Sequence, residues 1–161
     1  MPIRPLRLTL PVLAAVLLCT SCTVPRRGIV GLERVQDGSL VARVEMCEGH
    51  VDSVIVYDTG GFNGKTVGTW DFADRVTGSG AVTLTSLEAE LRSDVEQYRM
   101  YAASDDNSSS ARSVSFTAST VASLPNGAIL AVDYSSDDRQ ATILDDAGFT
   151  ESATAYCDQS S

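Results

Sequence analysis

The sequence predicts an all-β domain, built as an antiparallel sandwich or barrel. Three observations carry that reading: strict two-residue alternation in Leu40–Met46, a run rich in β-branched residues at Val51–Tyr57, and turn clusters at regular intervals between the strand-like runs. The chain has 161 residues, about one domain on the usual scale of 100–200 residues. It is 43% hydrophobic with 12 Gly and 5 Pro, enough apolar material for a packed core and too few breakers for a collagen-like or low-complexity chain. Twelve Lys and Arg stand against 21 Asp and Glu, a net charge of −9. That balance argues against nucleic acid as a partner, because affinity there rests on cations that neutralise phosphates. A single His leaves little material for general acid–base or zinc chemistry.

Taken in order, the chain opens with an address. Met1–Arg7 carries Arg4 and Arg7 and no acid, and Leu8–Leu18 follows as an 11-residue apolar run. A membrane-spanning helix needs about 20 apolar residues, so the run is too short to span, and Pro11 further disfavours a straight helix. It has the form of a secretory signal peptide over residues 1–21. Arg4 and Arg7 are not adjacent, which leaves a twin-arginine signal unsupported.

The junction Leu17-Leu18-Cys19-Thr20-Ser21-Cys22 resembles the lipobox of bacterial lipoproteins, where an apolar residue and two small ones precede a Cys. Small Ser21 before Cys22 makes Cys22 the better match, since bulky Leu18 precedes Cys19; Cys19 stands where the family usually has Leu. The resemblance implies that Cys22 becomes the first mature residue and carries a diacylglyceryl group. The alternative is ordinary cleavage at the same bond, leaving a secreted, unlipidated protein. Each buried CH₂ contributes about 0.8 kcal/mol, so two or more acyl chains would hold a soluble domain on the outer face of a membrane. Residues 22–27 then read as a lipidated tether, with Arg26 and Arg27 near the headgroups or simply in solvent. Removing residues 1–21 takes two Arg and no acid, leaving 10 basic against 21 acidic residues and a net charge of −11.

Cysteine usage follows from this address. With Cys19 in the leader and Cys22 carrying lipid, Cys47 and Cys157 remain, and in an oxidising compartment such a pair forms a disulfide. A competing reading makes Met46-Cys47-Glu48-Gly49-His50 a soft-metal site of thioether, thiolate and imidazole suited to Cu(I), which requires Cys47 to stay reduced.

The body, 28–161, reads as one domain without repeats or a linker. Leu40, Ala42, Val44 and Met46 share one strand face, and Glu48-Gly49-His50 is short enough to turn a hairpin into Val51–Tyr57. Thr59–Gly64 is a turn cluster before Val67–Ala73, which holds Trp70 and Phe72; Gly78-Ser79-Gly80 precedes Ala81–Thr85. Tyr98–Ala103, Ser113–Thr117, Ala128–Tyr134, Gln140–Leu144 and Ser152–Cys157 are the remaining predicted strands. Leu124–Gly127 and Ser135–Asp138 supply turn chemistry between them. Only Thr85–Gln97 departs from the β pattern: Leu87, Leu91 and Val95 lie at helical spacing, with Thr85 and Glu88 placed as a capping box. It predicts either a short helix near 86–96 or a loop into the Tyr98 strand.

Leu91 leading to Tyr98-Arg99-Met100-Tyr101 resembles the leucine-to-tyrosine approach to strand F of fibronectin III and immunoglobulin-like sandwiches, one residue longer here. The resemblance implies an Ig/fibronectin-like antiparallel β-sandwich with the Tyr hydroxyl capping a corner. The whole layout, lipobox, tether, acidic β domain and one early and one late Cys, resembles the small lipoproteins of actinobacteria. That group implies a location and no activity.

Little in the sequence points to catalysis. A serine nucleophile would need His50 as its base, and there is no nucleophile elbow, Walker loop, dinucleotide fingerprint or zinc-type CxxC. Asp105-Asp106, Asp137-Asp138 and Asp145-Asp146 are adjacent pairs, read as solubilising loop charges rather than catalytic carboxylates. Asp105-Asp106-Asn107-Ser108 offers oxygen ligands without the ordered spacing of a known Ca²⁺ loop. Trp70, Phe72, Tyr98 and Tyr101 read as core and corner packing rather than a carbohydrate platform. The expectation is a non-enzymatic, membrane-anchored envelope module whose loops meet another envelope protein or a ligand, with no cofactor or metal. The alternative is an extracytoplasmic binder of metal or a small ligand through acidic loops or His50.

Overall fold

The first segment of the domain, Arg26–Arg34, becomes the central strand, β1, in a computed structural model that describes residues 24–59 and 64–160. After it come β2 (Leu40–Met46), β3 (Val51–Asp58), β4 (Thr66–Val76), β5 (Ser79–Thr83), α1 (Leu87–Glu90), β6 (Tyr98–Ala103), β7 (Ser110–Arg112), β8 (Val114–Phe116), α2 (Ala118–Ala122), β9 (Ala128–Val132), β10 (Ala141–Leu144) and α3 (Asp146–Ser160). The expected signal peptide over residues 1–21, with Cys19, and the expected lipidation site Cys22 lie outside the described residues.

The strands form one sheet. β1 pairs antiparallel with β2 along Gly28–Arg34. Its other edge is shared: β7 runs parallel to its start, with Arg26 opposite Ser110, and β9 runs antiparallel to its end, with Leu32 opposite Leu130. From β7 the sheet continues through β6 and β3 to β4, and from β2 it continues to β5. β4 and β5 follow each other through Thr77-Gly78 and lie side by side, so the sheet curls into a barrel-like form. β9 and β10 branch off it and carry α3. The β-rich class therefore stands, but as one continuous curled sheet with a parallel pair rather than two stacked antiparallel sheets.

The core has two parts. Inside the barrel, Val30 and Leu32 meet Ala42, Val44, Val54, Val56, Met100 and Val114, all essentially inaccessible to solvent. Leu87 of α1 and Val121 of α2 belong to the same cluster. Arg34 ties these two helices to β1 by donating to the Val121 carbonyl at 2.9 Å and to Glu88 Oε1 at 3.0 Å. Outside the barrel, Ile29, Ile129 and Ala131 lie under Phe149, Ala153 and Tyr156 of α3. β1 is thus covered on both faces. Gly31 allows it: a Cβ there would lie 2.9 Å from Phe149 and 2.7 Å from Ile129.

Two predicted elements change. Ser152–Cys157 is not a strand; it lies inside α3. The small residues Ala153 and Ala155 alternate as a strand would, yet the residues that become buried, Phe149, Ser152, Ala153 and Tyr156, follow the three-and-four spacing of a helix. Asp145 starts α3, its Oδ1 accepting from Gly148 N at 2.8 Å, so one member of the Asp145-Asp146 pair is a helix cap. Within 85–97 only Leu87–Glu90 is helical, and Thr85 does not cap it; Ser86 holds that position in the left-handed region at φ 65° with no side-chain cap bond. Leu91 and Val95 still pack on the core. Tyr98 is buried, its hydroxyl accepting from Arg92 N at 2.7 Å and facing the Arg92 carbonyl at 3.3 Å, a tyrosine corner in a barrel-like sheet.

Candidate functional site

One end of the barrel gathers the residues with the most chemistry. The turn between β2 and β3 reverses through Glu48-Gly49, with Gly49 at φ +70°, where a side chain would be strained. His50 follows at the head of β3. Facing it is the loop from β6 to β7, which two buried serines fix in place. Ser109 Oγ accepts from His50 N at 3.0 Å and donates to the His50 carbonyl at 2.5 Å. Ser104 Oγ accepts from Ser109 N and donates to the Ser109 carbonyl, both at 3.1 Å. Ser109 therefore meets the main chain of His50, not its ring, and the pair is a clamp rather than a nucleophile with its base.

The clamp brings the imidazole to the carboxylates of the loop. His50 Nε2 lies 3.4 Å from Asp52 Oδ2 and 3.7 Å from Asp106 Oδ1. That nitrogen is shielded from solvent and makes no hydrogen bond. The donor atoms of His50, Asp105 and Asp106 all lie within 4.8 Å of one another. Asp52 completes the surroundings: its Oδ2 accepts from Asp105 N at 3.0 Å and its Oδ1 from Arg75 Nε at 3.2 Å. Arg75 also approaches Asp105 at 3.6 Å.

Both inner carboxylates are held in the charged form. The Asp105 backbone N–H, then Arg75, keeps the Asp52 carboxyl below its ordinary range. The Ser108 hydroxyl and backbone N–H, with Ser104 beside them, lower Asp106 far below it. Such groups gain from donors aimed at the ionised oxygen. One imidazole nitrogen and two carboxylates form a borderline-to-hard donor set, of the kind that suits Zn²⁺ or Mn²⁺ more than a soft ion.

The other expected residues lie elsewhere. Cys47 is bonded to Cys157, with 5.4 Å between their Cα atoms. A thiolate site on Met46–His50 is therefore ruled out in this form of the protein. The bridge sits just past the end of β2, where half-buried Cys47 packs against the cluster beneath α3. Trp70 and Phe72 pack against the barrel interior, and the Trp70 Nε1 donates to the Thr85 carbonyl at 3.2 Å. Tyr98 is core, stacked on Phe116 at 5.9 Å. Tyr101 alone of these four faces outward, over Tyr57. Asp137 and Asp138 are exposed in the turn before β10.

Sequence reasoning missed Asp52 and Arg75. Asp52 had a signal, because residues two apart on a strand share a face and Asp52 follows His50 by two. Arg75 had none; its place depends on the register of β4 against β3, where three extra residues bulge out between Asp71 and Val76. Among the described residues no helix is long and apolar enough to cross a membrane. No family model, no curated protein and no solved structure matches this chain.

Proposed function

We propose that this chain is a non-catalytic binding module that works outside the cytoplasm, anchored through Cys22 to the outer face of the cell membrane. The observation that carries the reading is the Cys47–Cys157 bond, which spans 110 residues and links the end of β2 to the end of α3. Such a bridge persists where the surroundings are oxidising. The short apolar leader and the lipobox-like junction supply the route and the anchor. The intact mass of the full chain expressed in a bacterial host tests it. A mature N-terminus at Cys22 with added acyl mass is expected; the same N-terminus without it refutes the anchor. Alkylation of Cys47 and Cys157 without prior reduction would overturn the oxidised state. Crosslinking in the native envelope would then identify the protein partner.

A second reading has its own support. The meeting of His50 with Asp105 and Asp106, from segments far apart in sequence, favours a divalent-cation binder. Thermal unfolding with and without Zn²⁺, Mn²⁺ or Ca²⁺ tests it. A rise in Tm that disappears in His50→Ala supports binding, and no rise with any of the three refutes it.

A further inference from the structure

The outer face of β3 and β6 is unusual for an exposed barrel wall. Alternation turns Val54, Val56, Met100 and Ala102 inward and leaves Ile55, Tyr57, Arg99 and Tyr101 outside. Register places Ile55 opposite Tyr101 and Tyr57 opposite Arg99. All four are only partly exposed, and the Tyr57 and Tyr101 rings meet edge to face at 5.8 Å. With Arg26 at the start of β1 they line a cavity of about 700 Å³. That size falls within the usual range of small-molecule sites, about 300–1,000 Å³.

Charge distinguishes this cavity from the rest of the surface. The chain carries a net −9, and Arg27, Arg34, Arg43, Arg75 and Arg92 each have a carboxylate partner. Of the other described arginines, Arg112 and Arg139 lie over the rings of Tyr156 and Tyr134, while Arg26 and Arg99 have neither a carboxylate nor a ring partner and share this cavity. Arg99 Nε is buried and makes no hydrogen bond. A buried donor without an acceptor is costly, and a bound anion would supply one. The acid in the lining, Asp105, stands beside Arg75 at 3.6 Å.

We propose that this groove binds a small organic anion, a carboxylate borne on a flat apolar body. Its carboxylate is held by Arg99 and Arg26, and its ring lies against Tyr57, Tyr101 and Ile55. Guanidinium groups match carboxylates geometrically, and the tyrosine faces give a flat ring contact area. The inference gives the binding module a ligand class and rests on that reading only for its biological setting; binding here is measured independently of acylation and disulfide state.

The test is titration of the full chain with 2-naphthoate, followed by backbone amide shifts in NMR. Saturable shifts concentrated at residues 53–57 and 99–103 are expected. Arg99→Gln should weaken binding about tenfold or more and Arg26→Gln severalfold. Arg112→Gln, whose guanidinium lies over Tyr156 of α3 at 6.0 Å, should leave it unchanged. The uncharged 2-naphthalenemethanol should bind at least tenfold more weakly than the carboxylate. Equal affinity for the alcohol, or no saturable shift in those two segments, overturns the proposal. Unchanged binding in both Arg99→Gln and Arg26→Gln overturns it equally, and Arg26→Gln alters an exposed residue that the fold tolerates.

Discussion

Tyr98 carries a polar tip into the core and satisfies it locally, which separates its two contributions. Tyr98→Phe keeps the stacking on Phe116 and leaves the Arg92 N–H without its acceptor. A loss of about 1 kcal/mol in chemical denaturation is expected, the usual net value of one such bond. Asp52 and Asp106 give a pH dependence whose sign follows from their lowered pKa values. The unfolded chain takes up protons first as pH falls, so the stability these groups add is full above the ordinary carboxylate range and is lost progressively from about pH 4 downward, through their lowered values. The β6–β7 loop should loosen there, read as faster hydrogen exchange at Ser108 N, and Asp106→Ala should flatten that response. Tyr98 was legible because its signal, Leu91 and a following tyrosine, is local. Asp106 beside His50 was not, because it arrives there only once β6 has paired with β3 and with β7, from a segment some fifty residues on.

At the scale of elements, legibility follows how many faces are buried. β2 was read with its observed boundaries, since one face is core and the other half-exposed, giving the alternation Leu40, Ala42, Val44, Met46. β1 escaped notice because Ile29, Val30 and Leu32 are buried on opposite faces and two glycines interrupt the pattern. A strand covered on both sides loses the period of two. α3 was misread for a related reason: its apolar stripe is thin, and Ala and Ser at 152–155 fit either period. The helix nonetheless holds the outer core. Phe149 is fully buried, so Phe149→Ala should destabilise by about 3–5 kcal/mol. Gly31→Val should also destabilise, by driving a side chain into the space that Phe149 fills. Thermal unfolding followed by far-UV circular dichroism measures both. Ser152 adds a polar tie, donating to the Val132 carbonyl at 2.9 Å and accepting from Tyr134 N at 2.8 Å.

For the molecule as a whole, the bridge between Cys47 and Cys157 is a covalent constraint across 110 residues. A crosslink that closes a loop of this length stabilises by about 4–5 kcal/mol on the chain-entropy account. Reduction should therefore lower the denaturant midpoint markedly without abolishing β structure, because the barrel interior does not depend on α3. A protein as stable reduced as oxidised would contradict this. Strand content and the cysteine partners were accessible from the sequence, whereas the closure of the sheet was not. A sandwich and a curled sheet use the same alternating strands; they differ in which edges meet, and pairing between β1 and β7 or β9 leaves no local trace.

The shared edge of β1 also bears on the order of assembly. β1 leaves the ribosome first among the described strands, yet its partners on that edge, Ser110–Arg112 and Ala128–Val132, come from the far end of the chain. Until those are synthesised, β1 can pair only through β2, which β5 extends, and its other edge stays open. Folding is then governed by contacts distant in sequence, which places it among slow folders, on the scale of milliseconds to seconds. A chain that cannot close before its last strands arrive keeps that edge of β1 open until Ala128–Val132 has been made.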